Sequence, residues 1–292
     1  MLNRQKIVVE LLRQADGGRA SRLQLTKWCF LLAHEAPARG GTAFYEFLPY
    51  LRGPFSFGLA FEMDCLVRDG LVRGDEESHW NLTTAGRTHP LNLSRELQKD
   101  VALIASRYKR TSTEDLLAHV YSTYKWFTAN AEREEKRQAE KPVATPKIYT
   151  AGYEKLQVDG FLNLLLQNGI RRLLDVRGNP VSRRYGFHKS TLSRMCEKLD
   201  IEYKHVPEVG IPSSWRTDLN CFQDYQTLFD RYEEQILPHQ GQWIKQLATW
   251  QKETPSVLVC QEANPDFCHR SRLANHVMGV SNLSVAHLGW PR

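Results

Sequence analysis

Residues 147–177 read KIYTAGYEKLQVDGFLNLLLQNGIRRLLDVR, and this stretch decides the fold of the second half of the chain. Two short apolar runs, KIYTAGY and RRLLDVRG, flank a segment with helical spacing. The pattern predicts a strand, a helix over about 157–168 and a second strand. Because two parallel strands need a crossover of this length, the two strands are predicted to lie parallel in one sheet.

Three further runs of the same kind follow, IEYKHVPE, SVLVCQE and LSVAHLG, and segments with helical spacing separate the runs. The helices are predicted at about 189–199, 222–251 and 270–278. This alternation predicts an α/β fold over residues 147–292, Rossmann-like, with a mostly parallel sheet and helices on both faces.

The first half has a helical pattern with one turn-rich interruption, and its helices are predicted at 3–15, 21–36, 56–70, 94–107 and 112–129. Leu71–Val72 and Trp80–Leu82 flank a polar turn and predict a β-hairpin after the third helix. A helix followed by such a hairpin is the plan of a winged helix. Residues 1–130 are therefore predicted to form a mainly helical, winged-helix-like domain. The charged segment 131–146, which contains two prolines, is predicted to be a linker.

The composition excludes several classes of protein. The 292 residues are 41% hydrophobic and 25% charged, which is typical of a soluble globular protein and excludes disorder, collagen and a disulfide scaffold. No run approaches the roughly 20 apolar residues of a membrane span, and the start predicts an amphipathic helix rather than a signal peptide. Six cysteines without C-x-x-C spacing indicate reduced thiols and a cytoplasmic protein. The oligomeric state stays open.

Polar residues follow the predicted carboxyl ends of four strands, where open parallel sheets bind ligands. They are Tyr153 with Glu154, Asp175 with Arg177, His205 with Glu208, and Gln261 with Glu262. Core packing does not explain polar groups at four equivalent places. Their convergence predicts a candidate active site.

Residues 171–194 carry seven basic side chains and one acidic side chain, a net charge of +6 that equals the net charge of the whole chain. Glycine, Asn179 and Pro180 predict a loop. Arg183 and Arg184 alternate there with Tyr185, Phe187 and His188, a mixture that suits a phosphodiester backbone and an unstacked base. The sequence therefore favours nucleic acid, DNA above all, as the partner over a merely solvated loop.

Cys268, His269 and Arg270 precede the last predicted helix. A helix N-terminus stabilises an anion or a thiolate, so Cys268 could be an activated nucleophile. In the alternative, Cys268 packs in the core while His269 and Arg270 bind a phosphate or hold Glu262. The sequence favours this alternative for the cysteine and a functional role for Arg270.

The second half resembles the domain-of-unknown-function 488 family over about residues 147–287. The motifs that carry the resemblance are TAGYE at 150–154, LDVRGNP at 174–180, Ser182–Arg183, Phe187, Tyr203–His205, PEVG at 207–210, CQE at 260–262 and CHR at 268–270. The resemblance implies a Rossmann-like domain with recurring polar residues at these strand ends, and little about the reaction. Gln261 departs from the hydrophobic or aromatic residue more usual at its place.

The first half resembles the Panacea-type winged-helix domains of antitoxins and phage-related proteins. The shared motifs are LTK at 25–27, YLRGPFS at 50–56, DGLV at 69–72 and LTTAG at 82–86. A winged helix could dock on DNA, but the helix before the hairpin carries more acidic than basic residues and would repel phosphate. DNA binding, helped by Arg52, Arg73 and Arg87, and protein contact both stay open.

Several reaction classes lack their motifs. The sequence has no dinucleotide-binding, P-loop, H-E-x-x-H or zinc-deaminase motif, so no cofactor is predicted. A metal site is conceivable from Asp175, Glu208, Glu262, His205 and His269. Because these residues lack tight spacing, no metal is predicted.

Carboxylates, arginines and aromatic residues without a cofactor suit cleavage of an N-glycosidic bond. The leading hypothesis is a DNA glycosylase-like hydrolase that flips out and excises a modified or damaged base, in repair or phage defence. Asp175 is the first choice of catalytic carboxylate, with Glu262 and Glu208 as competitors and His205 as a group that protonates or orients the base. The Asp175→Asn variant is expected to lose activity and keep DNA binding.

The remaining predicted contacts of that hypothesis are with the substrate. The residues predicted to bind nucleic acid or substrate, among which His188 could also protonate or orient the base, are Tyr153, Arg177, Asn179, Arg183, Arg184, Tyr185, Phe187, His188, Gln261, Cys268, His269 and Arg270. Two alternatives stay open: a non-catalytic sensor of a nucleotide or modified base, and a thiol enzyme that depends on Cys268. A sensor needs no carboxylate cluster, and a thiol enzyme would lose all activity in Cys268→Ser.

Overall fold

A computed structural model describes residues 1–290 of the chain. The chain forms two compact units, Met1–Glu140 and Lys141–Arg292. The boundary between them lies inside the charged segment 131–146. No helix among the described residues is long and apolar enough to cross a membrane.

The first unit is mostly helical. Its elements in chain order are α1 Asn3–Gln14, β1 Arg19–Ser21, α2 Arg22–Glu35, β2 Leu48–Tyr50, β3 Gly53–Phe55, α3 Phe57–Arg68, β4 Val72–Gly74, β5 His79–Leu82, α4 Thr84–Thr88, α5 Arg95–Tyr108 and α6 Thr113–Thr123. The hairpin predicted after the third helix is β4 and β5, which form an antiparallel sheet in the order β1-β5-β4. The helix predicted at 112–129 ends at Thr123, and a 3₁₀ turn, Lys125–Thr128, follows.

Serine caps start four of these helices, α2, α3, α5 and α6. The Ser21 side chain accepts a hydrogen bond from the Gln24 amide at the start of α2, and Ser56 accepts one from the Leu59 amide at the start of α3, each over 3.1 Å. The close approach of α4 to Leu71 depends on a glycine as well, because a Cβ at Gly86, within α4, would lie 2.0 Å from the Leu71 carbonyl oxygen.

The core of the first unit contains one buried amine. Lys27 on α2 is 1% exposed, and its Nζ donates a hydrogen bond to the Pro54 carbonyl over 2.7 Å. Burial lowers the pKa of Lys27 to about 7. The lysine of the LTK motif therefore joins α2 to the strand β3.

The second unit is the predicted α/β domain. Its elements are β6 Ile148–Gly152, α7 Val158–Gln167, β7 Arg172–Asp175, α8 Lys189–Glu197, β8 Glu202–His205, α9 Phe222–Gln235, α10 Gly241–Glu253, β9 Ser256–Cys260, α11 His269–Ser281 and β10 Val285–Leu288. The five strands are all parallel, in the order β10-β6-β9-β7-β8, and helices flank the sheet. The predicted fold class is confirmed.

One predicted helix is wrong. The sequence predicted a single helix over 222–251, but the structure has α9 and α10 with a 3₁₀ turn, Leu237–Gln240, between them. Pro238 lies in that turn. Because proline lacks an amide hydrogen and its ring clashes with the carbonyl four residues earlier, a helix cannot continue through it without a break.

Strand register brings the carboxyl ends of the central strands to one edge. Gly152 at the end of β6 pairs with Cys260 at the end of β9, and Asp175 at the end of β7 pairs with Val259 on one side and His205 on the other. The residues that follow these strands are therefore neighbours in space, although they come from distant parts of the sequence.

Gly152 lets the chain after β9 approach the end of β6. A Cβ at position 152 would lie 1.8 Å from the Glu262 carbonyl oxygen. We expect Gly152→Ala to lower the free energy of unfolding by about 1–3 kcal/mol, because the backbone must move. Urea unfolding followed by circular dichroism measures the change.

Gly279→Ala is the matched control, because this glycine lies in α11 of the same unit and a Cβ there meets nothing within 4 Å. Alanine favours a helix over glycine, so Gly279→Ala should leave stability unchanged or raise it by up to about 1 kcal/mol. Equal destabilisation by both variants would contradict the close approach at Gly152.

Candidate functional site

A buried ion pair lies at the end of β7. Asp175 is 0% exposed and Arg177 is 5% exposed. The Arg177 Nε donates to Asp175 Oδ1 over 2.8 Å, and Nη2 donates to Oδ2 over 2.5 Å. Two parallel bonds between a guanidinium and a carboxylate make a strong, directional pair.

Two tyrosines and a backbone carbonyl complete this pair. Tyr203 donates its hydroxyl hydrogen to Asp175 Oδ2, and Arg177 Nη1 donates to the Tyr153 hydroxyl over 2.8 Å and to the Phe187 carbonyl over 2.9 Å. Burial opposes the charge of Arg177, but the hydrogen bonds and charge of Asp175 outweigh it and raise the arginine pKa. Burial and the Asp175 charge also raise the pKa of Tyr203. The residues Asp175, Arg177, Tyr153 and Tyr203 are called the aspartate–arginine network below.

Two of the three predicted base-stacking rings, Tyr153 and Phe187, are buried at this network. Tyr153 and Phe187 are 2% and 1% exposed and stack on each other, with ring centroids 4.1 Å apart and planes at 11°. Because each ring face is covered by protein, stacking of a base on either ring would require the loop to open.

Arg184 and His205 also bind the backbone. Arg184 Nη1 donates to the Tyr153 carbonyl over 3.0 Å and to the Glu154 carbonyl, and Nη2 donates to the Leu156 carbonyl. The His205 Nε2 lies 2.9 Å from the Arg177 carbonyl oxygen, and its Nδ1 lies 3.1 Å from Lys189 Nζ. These contacts hold the loop after β7 against its neighbours.

Other predicted site residues lie at the surface. The exposed ones are Asn179, Arg183, Arg184, Tyr185, His188, Glu208 and Gln261. Five of these belong to the basic loop 176–188 between β7 and α8. The loop therefore presents Arg183, Tyr185 and His188 to solvent, whereas Arg177 is buried and Arg184, although exposed, directs its guanidinium group at backbone carbonyls.

A second group of polar side chains lies where β9 ends and α11 begins. We call Cys260, Cys268 and His269 the thiol cluster. All three are at most 2% exposed, and their Sγ and Nδ1 atoms lie within 4.8 Å of one another. The Cys260 Sγ is 3.7 Å from His269 Nδ1 and 3.1 Å from Glu262 Oε2.

Arg216 and Glu262 cover the thiol cluster. The Arg216 Nη1 donates to Glu262 Oε1 over 2.6 Å, and its Nη2 lies 3.2 Å from His269 Nδ1. The two side chains keep 28% and 16% of their surface exposed. They form the accessible part of this site.

The cluster shifts the pKa values of its members in different directions. The hydrogen bond with Cys268, helped by His269 and Arg216, lowers the pKa of Cys260, whereas burial raises the pKa of Cys268. Burial and the neighbouring Cys260 raise the pKa of Glu262 against the opposing charge of Arg216.

Arg270 supports the cluster through the backbone. This arginine is 1% exposed, and it donates to the Glu262 carbonyl over 2.5 Å, to the Ala263 carbonyl over 3.0 Å and to Thr150 Oγ1 over 3.4 Å. Arg270 thus fixes the chain directly after Cys260.

Sequence reasoning found most of these residues but missed two. Cys260 was quoted within a motif and given no role, although it follows directly from a buried strand and precedes Glu262 by two residues. Arg216 lies in the loop between β8 and α9 and carries no motif. Of the five residues considered for a metal, His269 alone belongs to the group that could hold an ion among the described residues, which is Cys260, Cys268 and His269.

The aspartate–arginine network predicts a loss of stability in Asp175→Asn. Removing one charge leaves the Arg177 guanidinium buried without its counter-charge, so the free energy of unfolding should fall by about 3 kcal/mol. Urea unfolding measures the change. Glu208→Gln is the control, because Glu208 is exposed, and it should stay within about 0.5 kcal/mol of the parent protein. An unaffected Asp175→Asn protein would contradict the network.

Fold and site together define an α/β domain whose parallel sheet carries two polar groups, one built on an ion pair and one on thiols, at the carboxyl ends of its central strands. Residues 157–277 match the family described as Domain of unknown function DUF488. This match confirms the resemblance of the second half, and the Panacea-type resemblance of the first half stays a prediction. No curated protein and no solved structure matches the chain.

Proposed function

We propose that the second unit is a hydrolase that acts on nucleic acid and excises a modified or damaged base from DNA, with Glu262 as its catalytic carboxylate. One observation carries the choice of residue: Glu262 is a strand-end carboxylate that is largely buried, is held by an arginine and still reaches solvent. A catalytic carboxylate needs both a fixed position and access to water.

The other two candidate carboxylates fit this role less well. Asp175 is 0% exposed, and both of its oxygens accept hydrogen bonds from Arg177 or Tyr203. Glu208 is exposed and lies in the 3₁₀ turn Pro207–Val209 after β8. Asp175 therefore supports the loop, and Glu262 replaces it as the first choice.

The proposed reaction is hydrolysis of the N-glycosidic bond. A water molecule attacks C1′ of the nucleotide, its proton passes to Glu262, and the bond from C1′ to the base breaks with the electron pair leaving on the base, which then takes up the proton that Glu262 releases. Arg216 holds the carboxylate through Oε1, and Oε2, which lies 3.1 Å from the Cys260 Sγ, is the oxygen proposed to take the proton of the water. The products are a free base and an abasic sugar.

Binding of DNA is assigned to the outward side of the basic loop. Arg183 and Lys189 are exposed there and supply positive charge for phosphate groups, while the exposed Tyr185 and His188 supply rings for stacking. Arg177 and Arg184 do not serve this purpose, because their guanidinium groups bind Asp175 and backbone carbonyls.

Excision is tested by incubating the protein with unmodified DNA, DNA that carries damaged bases and heavily modified phage DNA. Alkaline cleavage detects abasic sites and mass spectrometry identifies the released base. We expect release from one modified substrate by the parent protein and at least a 100-fold slower release by Glu262→Gln, since the water loses its base. Glu208→Gln is the matched control and should retain parental activity.

Two outcomes would contradict this proposal. Equal rates for Glu262→Gln and the parent protein would remove Glu262 from the reaction. DNA binding without release of a base from any substrate would instead support a sensor of nucleotides or modified bases.

The basic loop makes a separate prediction about salt. The double variant Arg183→Ala/Lys189→Ala removes two exposed charges, so its DNA affinity should fall and the slope of log K against log salt should decrease by about 2. Fluorescence anisotropy at several salt concentrations measures both. Lys245→Ala/Lys252→Ala removes two exposed charges from α10 and should leave the slope unchanged. The same slope for both double variants would place the DNA elsewhere.

A further inference from the structure

The thiol cluster has the composition of a zinc site. Two cysteine sulfurs and one imidazole nitrogen are the ligands that Zn²⁺ prefers in proteins, and three protein ligands are typical of a zinc site that keeps one open position. The three ligand atoms lie within 4.8 Å of one another in the interior of the second unit.

The distances fit a tetrahedral ion. With Zn–S of about 2.3 Å and Zn–N of about 2.1 Å, neighbouring ligand atoms of a tetrahedron lie about 3.6–3.8 Å apart. The Cys260 Sγ and the His269 Nδ1 are 3.7 Å apart. These two atoms can therefore bind one ion without a change in the distance between them.

His269 is oriented as a metal ligand. Its Nε2 lies 3.0 Å from the Val176 carbonyl oxygen, a group that can only accept a hydrogen bond. The ring hydrogen therefore belongs on Nε2, which leaves the lone pair on Nδ1, the ring nitrogen that lies 3.7 Å from the Cys260 Sγ. A backbone carbonyl on the far nitrogen is the usual partner of a metal-ligating histidine.

The ligands come from positions that the fold already fixes. Cys260 is the last residue of β9, and Cys268 and His269 lie at the start of α11. Between them the 3₁₀ turn Pro265–Phe267 reverses the chain, and Arg270 binds the carbonyl groups of residues 262 and 263. Little chain entropy remains to be lost when an ion binds.

We propose that Cys260, Cys268 and His269 bind one Zn²⁺ ion, with its fourth position facing Glu262. The Glu262 Oε2 is already 3.1 Å from the Cys260 Sγ, so it lies beside that position. Binding requires the Arg216 Nη2 to leave the His269 Nδ1, which it approaches to 3.2 Å, while Nη1 keeps its bond to Glu262. The ion binds whether or not the protein excises a base.

The first experiment measures zinc on the full chain. The reduced protein is stripped with a chelator, dialysed and titrated with Zn²⁺ in competition with a chromophoric chelator. We expect about one ion per chain for the parent protein and for Cys221→Ser, which changes an exposed cysteine elsewhere in the same unit. Cys260→Ser and His269→Ala should each bind at least 100-fold more weakly, since each removes a ligand.

Arg216→Gln separates a metal site from a purely structural cluster. The variant removes the positive charge that faces the His269 Nδ1 and leaves the three ligands in place, so zinc should bind as tightly as in the parent protein or more tightly. If the Arg216 guanidinium only stabilises a cluster that binds no ion, Arg216→Gln would bind no zinc, and this result would contradict the proposal.

A second measurement, of cobalt binding, uses the parent protein alone, so its result does not depend on whether a variant folds. Cobalt(II) added to the stripped parent protein should give the sulfur-to-cobalt charge-transfer absorption of thiolate ligands and the intense visible bands of a tetrahedral ion. The proposal would be overturned if the reduced parent protein failed to bind stoichiometric zinc, or if its cobalt spectrum lacked thiolate absorption. Formation of a Cys260–Cys268 disulfide in place of metal binding would overturn it as well.

Discussion

The buried pair of Asp175 and Arg177 is the interaction on which the rest of the second unit depends. Removing both charges from water costs free energy, and the attraction between the two charges together with the hydrogen bonds from neighbouring polar groups offsets that cost. The pair draws Tyr153 from the end of β6, Tyr203 from β8 and the Phe187 carbonyl from the basic loop to one point. It thereby fixes the chain at residues 175–177, and the carbonyl of Val176, between the two partners, receives His269. The ion pair thus helps to orient His269, and through it the thiol cluster.

The arginines of this unit divide into two kinds, and composition does not distinguish them. Arg177, Arg184 and Arg270 direct their guanidinium groups at a carboxylate or at backbone carbonyls, where each group satisfies several acceptors at once. Arg183, one residue from Arg184, points outward. Some of the arginines in residues 171–194 therefore already bind acceptor groups of the protein. Fewer positive charges are available to phosphate than the sequence count indicates.

The sequence predicts the architecture of this unit well, because apolar runs of strand length that alternate with helical segments leave few arrangements other than a parallel sheet. It also predicts the edge of the sheet where the polar residues gather. It does not predict which of them are buried, since Asp175 and Glu262 look alike in sequence and differ only in their neighbours. The break at Pro238 was visible in the sequence and was missed because the helical spacing continues on both sides of it. Arg216 could not be found, because its partners lie 46 and 53 residues away along the chain.

The thiol cluster shows why spacing rules can fail at a strand end. Zinc ligands are usually sought as pairs separated by two to four residues, a separation that suits a tight turn. Cys260 and Cys268 are too far apart for that pattern. Here, however, one ligand ends a strand and the other two start the helix that follows, so the turn between them can be longer while the ligand atoms still meet. Parallel sheets repeat this strand-to-helix junction at every crossover, and each junction places a strand end beside a helix start. In this unit the junction brings Cys260 together with Cys268 and His269, a proximity that their spacing in the sequence does not indicate.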